Sequence, residues 1–182
     1  MELASGELIE YFNAFNPEQE LHRYYDRIYR KTASLFRTAS ETGAVLSSAN
    51  EEQIKSLSDY GYNIGMAFQV MDDLLDILGE EAELGKPVGN DLRQGVLTLP
   101  SIMLMQRYPN NNPIPELFRD PELDGNLVRT IDMINNSSII PDCFAIIHEY
   151  CDEANRVLSE LPKGECRESL ESLAGYVRER SR

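Results

Sequence analysis

Apolar positions recur along the chain every three or four residues, the period of an α-helix, and no run shows sustained strand alternation bounded by hairpin turns. Leu3, Leu8, Ile9 and Phe12 predict a first short helix. Asn16-Pro17-Glu18-Gln19 reads as a helix start, with Asn as N-cap, Pro at the first helical position and Gln19 placed for a capping box. Leu21, Tyr25, Ile28, Thr32, Leu35 and Phe36 carry this second helix to about Ser47–Asn50. A third runs from about Glu51 to Leu78. Ile54, Leu57, Ile64, Ala67, Met71, Leu74 and Leu78 form its core face, and Phe68, Val70, Leu75 and Ile77 spread apolar character around it. At ~1.5 Å per residue it is ~40 Å long, the length of a central rod. A loop with four glycines follows, from Gly79 to Val96. Beyond it the pattern predicts a helix over Thr98–Arg107, a linker over Pro109–Pro115 and an amphipathic helix over about Pro141–Leu161. The expected fold is all-α, one helical bundle domain over residues 1–182.

One stretch breaks the apolar pattern of the third helix. In FQVMDDLLD, Gln69, Asp72, Asp73 and Asp76 share a face three and four residues apart. An acidic stripe is either a solvated face or a ligand set. On a central helix it faces the interior, where unpaired carboxylates are costly and repel one another. A divalent cation removes that cost. Magnesium prefers oxygen ligands and takes one or two carboxylates together with substrate phosphates, whereas zinc or a redox metal calls for His or Cys. Lys86, between glycines in GKPVGND, and Lys31, beside Thr32, are either surface charges or diphosphate contacts. The loop follows no strand, so it is neither a P-loop nor a dinucleotide fingerprint.

Composition narrows the classes. With 42% apolar and 26% charged residues, the chain has the balance of a globular domain. A net charge of -14 argues against nucleic acid or an anionic membrane as main partner. Cys143, Cys151 and Cys166 have no paired spacing, which suggests a reducing, cytoplasmic setting. His22 and His148 lie in no zinc motif. No apolar run approaches the length of a membrane span, and the first residues lack the features of a signal peptide.

Taken together, these residues resemble the trans-isoprenyl diphosphate synthases (polyprenyl synthetases). FQVMDDLLD is similar to the family's second aspartate-rich motif and GKPVGNDLRQGVLTLP to the segment that follows it. KTASLF resembles the Lys-Thr helix, and ASGELIE the Gly-Glu region upstream. Four motifs in order cover Gly6 to about Tyr108, with a weaker helical match beyond. The resemblance implies a partial isoprenoid-synthase fold. It also implies Mg²⁺ held by Asp72, with Asp73 and Asp76, against an allylic diphosphate. Lys31 and Lys86 would contact diphosphate oxygens, and Thr32 and Gln69 would line the reacting centre. The family's reaction ionises the allylic diphosphate, isopentenyl diphosphate attacks the carbocation, and a proton is lost.

The departures are as informative. The chain has no first aspartate-rich motif and no Asp-Asp pair besides Asp72-Asp73, and Val96 stands where many members carry Lys. The isopentenyl-binding basic residues and the determinants of chain length belong to the same absent region. The sequence therefore looks like a C-terminal half. The resemblance implies a prenyltransferase chain that works with a missing half, a non-catalytic partner subunit, or an inactive remnant. Each leads to the expectation of exposed apolar helix faces, and of self-association or a partner.

Overall fold

The computed structural model describes residues 2–79, 88–121 and 124–180. In chain order the helices are α1 (Glu2–Asn13), α2 (Leu21–Ile28), a π-helical turn (Tyr29–Ala33), α3 (Ser34–Leu46) and α4 (Glu51–Leu78). Then come α5 (Asn90–Arg93), α6 (Leu99–Arg107), α7 (Ile114–Arg119), α8 (Asp124–Asn135), α9 (Ile139–Leu158) and α10 (Glu165–Glu179). Among the described residues there is no strand, so the all-α expectation holds.

The long rod spans the expected residues and is central. Its N-terminus is closed by a capping box: the Gln53 N–H donates to Asn50 Oδ1 (2.9 Å) and the Asn50 N–H to Gln53 Oε1 (3.1 Å). Its side chains are buried around most of the circumference, between α3 with the π turn on one side and α9 on the other. On α9, Cys143, Ile147, Cys151, Ala154 and Leu158 form the buried stripe, at the spacing of one helix face.

Glycines set how closely α3 meets α4. A Cβ on Gly61 would stand 2.6 Å from the Phe36 carbonyl oxygen, and one on Gly65 would stand 2.6 Å from Ala33 Cα. The two glycines are one turn apart, so α3 and the π turn lie directly on the α4 backbone.

The expected second helix is one rod with two differences. It begins at Leu21 rather than at Pro17. Asn16 Oδ1 accepts the Glu18 N–H at 2.9 Å, an Asx turn that competes with helix capping. Gln19 does reach back, but to the carbonyls of Asn13 and Asn16, each at 3.0 Å. The rod then widens into the π turn at Tyr29–Ala33, which no periodicity of apolar residues announces. Two smaller differences follow. Pro115 lies in the first turn of α7, a position that tolerates proline, rather than in the linker. The amphipathic helix expected from about Pro141 starts at Ile139.

The α1–α2 connection is tied to the segment before α6. Phe15, with a left-handed φ of 60°, donates its N–H to the Gly95 carbonyl at 2.8 Å. A Cβ on Gly95, itself at φ 76°, would stand 2.5 Å from that same nitrogen.

Large apolar side chains also lie open on α1. Leu8 is 55% exposed, and Tyr11 and Phe12 are each 77% exposed. Leu35, Val45 and Leu46 are exposed on α3. No described helix is long and apolar enough to cross a membrane.

Gly65→Ala is expected to destabilise the domain by about 1–3 kcal/mol in urea denaturation, because Ala33 has no room to retreat. Gly43→Ala on α3, where no neighbour lies within 4 Å, is expected to be neutral or stabilising.

Candidate functional site

Between Tyr60 and Leu78 on α4, Asp72 is the one exposed residue. It opens onto a cleft of about 180 Å³ whose lining also includes Glu10 of α1, Lys31 of the π turn, Gln69, and Asp91 and Thr98 from beyond the loop. Larger cavities of about 760 and 560 Å³ lie at the other end of α4, around Asn50 and Gln53. Size does not locate the site; the gathered carboxylates and lysine do.

The structure gives the three aspartates separate environments. Asp73 is only 4% exposed and accepts two hydrogen bonds, from Tyr24 Oη and Gln69 Nε2, each at 2.8 Å. Burial pushes its carboxyl up to about 7, against the pull of the Gln69 and Tyr24 hydrogen bonds. Asp76 is 1% exposed. Its Oδ2 accepts the Asp91 N–H (3.1 Å) and its carbonyl accepts the Gly89 N–H (2.8 Å). Asp76 thus ties down the chain where it returns from the loop, at a left-handed Gly89 with φ 71°. Among the described residues no three His, Cys, Asp or Glu side chains are gathered as a metal site. The expected single stripe is therefore split: Asp76 is buried away from the cleft, Asp73 is hydrogen-bonded and nearly buried in its wall, and Asp72 is open to it.

The π turn brings in Lys31 and Thr32. Thr32 Oγ1 donates to Gln69 Oε1 at 2.5 Å, which joins the turn to α4. The Lys31 ammonium lies 2.7 Å from Glu10 and 3.4 Å from Glu7. Burial acts against that charge, but the Glu10 hydrogen bond and the two carboxylates outweigh it and raise the lysine above its ordinary value. Gly6 lets α1 approach this closely, since a Cβ there would stand 2.7 Å from the Lys31 backbone nitrogen. Lys86 lies outside the described residues.

The fold thus brings Lys31, Gln69, Asp72 and Asp73 together in the lining of the cleft, joins Thr32 to it through Gln69, and anchors its far edge with Asp76. Sequence reasoning missed Glu10, Tyr24, Arg27 and Asp91. Tyr24 and Arg27 precede Lys31 by seven and four residues, a helical spacing that was available as a signal. Arg27 is buried and donates to the Leu97 carbonyl at 2.6 Å, holding the segment before α6. Glu10 carried no comparable signal, because its role depends on where α1 lies.

The sequence model of the polyprenyl synthetase family matches residues 1–133. The chain belongs to the polyprenyl synthetase family. It is 36% identical to heptaprenyl diphosphate synthase component 2 of Bacillus subtilis (strain 168) over 180 residues, 99% of this chain and 51% of that protein. The component 2 protein of Geobacillus stearothermophilus is 35% identical over 99% of this chain and 56% of its own length. The crystal structure of a heptaprenyl diphosphate synthase from Staphylococcus aureus superposes with a TM-score of 0.94 at 36% identity, over 100% of this chain and 57% of that one. A polyprenyl synthase from Caulobacter crescentus CB15, solved with calcium and isoprenyl diphosphate, matches with a TM-score of 0.90 at 31% identity, covering 98% and 56%. This polyprenyl synthetase chain spans about half the length of the relatives it matches.

The raised Asp73 predicts a pH effect in metal-free protein. An acid whose pKa rises from 3.8 to about 7 on folding contributes stability fully below the lower value and loses it as pH climbs through the higher. Wild type should therefore lose stability relative to Asp73→Asn between about pH 4 and 7, by up to ~1.4 kcal/mol per pH unit. Urea denaturation curves that stay parallel across that range would contradict it.

Proposed function

We propose that this chain supplies the diphosphate-binding wall of a Mg²⁺-dependent polyprenyl diphosphate synthase, which condenses isopentenyl diphosphate with an allylic diphosphate. The observation that carries this reading is the lone exposure of Asp72 in the otherwise covered stretch from Tyr60 to Leu78 of α4, opening onto a cleft shared with Lys31. One open carboxylate fits magnesium, which retains waters and completes its shell with phosphate oxygens. Asp72 would hold the ion, with Asp73 and Asp76 as the acidic layer behind it. The ion would supply Lewis-acid charge toward the leaving diphosphate.

The chain's own groups would do the rest. The Lys31 ammonium, kept protonated by Glu10 and Glu7, would turn to the diphosphate oxygens, and Lys86 would join it. Thr32 and Gln69 would line the reacting carbon. Three cysteines without paired spacing support a cytoplasmic setting.

A second reading has its own observation. Leu8, Tyr11 and Phe12 form an open apolar face on α1, and two relatives are named as one component of a synthase. On that reading the chain acts through a partner, or through a second copy, that covers this face. The two readings are compatible if the partner completes the cleft.

Thermal unfolding with Mg²⁺ and inorganic pyrophosphate tests the site. Mg²⁺ alone should shift the midpoint little. With pyrophosphate at about 100 times its Kd the gain is about 2.7 kcal/mol, or roughly 5–10 °C. Asp72→Ala should abolish the combined shift. An unchanged response in that variant would remove Asp72 from the site.

Sedimentation of the purified chain tests the face. Self-association is expected at micromolar concentration, and Tyr11→Glu/Phe12→Glu should return the chain to monomer. A wild-type monomer throughout would leave no role for a second copy.

A further inference from the structure

The hydrogen bonds behind the cleft run in one direction. Tyr24 is 1% exposed and its phenol has a single hydrogen, which goes to Asp73 Oδ2 at 2.8 Å. Asp73 keeps its other oxygen as an acceptor, and Gln69 meets it with its Nε2 at 2.8 Å. The Gln69 amide is thereby oriented, its carbonyl turned to Thr32. Thr32 must then spend its one hydrogen on Gln69 Oε1, at 2.5 Å. What remains of the Thr32 hydroxyl is lone pairs.

We propose that Tyr24 is a positioning residue that orients the Gln69 amide, and through it the Thr32 hydroxyl, by way of Asp73. Tyr24 does not line the cleft, and its effect passes through the buried carboxylate. Its ring lies under the Arg27 guanidinium, 5.6 Å from the ring centre, so the phenol is held from both sides. The orientation of the amide does not depend on the proposed function.

The test uses the full chain and Tyr24→Phe, which keeps the ring and removes only the donor. Exchange of the Gln69 side-chain amide protons is followed by ¹⁵N NMR. Tyr24→Phe should speed that exchange at least about tenfold, and in an Asp73→Asn background, which removes the buried charge and guards against misfolding, it should add little. Unchanged Gln69 exchange in Tyr24→Phe, or an equal effect with and without Asp73, would overturn the relay.

Discussion

The cleft depends on one close approach. Gly65 lets Ala33 lie directly on the α4 backbone, and Gly61 does the same for Phe36 one turn earlier. Any side chain at Gly65 would lift the π turn away from α4. Thr32 could then no longer reach Gln69, and Lys31 would leave the mouth of the cleft. A second close approach, Gly6 on Lys31, seats α1 over the same turn. The π turn is thus clamped between two glycine-mediated contacts, which explains how a widened and intrinsically poorer helical turn persists at the site.

Electrostatics around the cleft follow from that clamp. Seating α1 brings Glu7 and Glu10 to Lys31, so the lysine charge is balanced from within the fold. On the facing helix, burial and hydrogen bonding separate Asp73 and Asp76 from Asp72 although all three share one short motif. Asp73 bridges α2 to α4 through Tyr24, and Asp76 bridges α4 to the chain entering α5. Two of the three aspartates act first as architecture. Of the three, only Asp72 is exposed.

Much of this was legible in the sequence, and what was hidden has physical reasons. The α4 rod could be read from residue types alone, because a helix buried on most sides is apolar on most sides. The polar stripe within it marked the site. Exposure of Asp72 against burial of its neighbour Asp73 could not be read, since a helix places them only about 100° apart and neighbouring elements decide which is covered. The π turn was invisible because it changes no periodicity beyond one residue. The misplaced start at Asn16 came from two legitimate uses of one side chain: Asn both caps helices and closes Asx turns, and here the turn won. The lining role of Glu10 required knowing where α1 lies, which is tertiary information.

The link between Phe15 and Gly95 has a consequence for how such a domain can vary. The two connections it joins are distant in sequence, yet each holds the other's length. An added or deleted residue in the α1–α2 connection would pull Phe15 out of register with Gly95, and would shift the Arg27-bound strand of chain that leads into α6. Length changes at this rim must therefore come in matched pairs or not at all. Insertions and fusions are better tolerated at the opposite end of the bundle, in the exposed turn between α9 and α10, where Gly164 has open space around it.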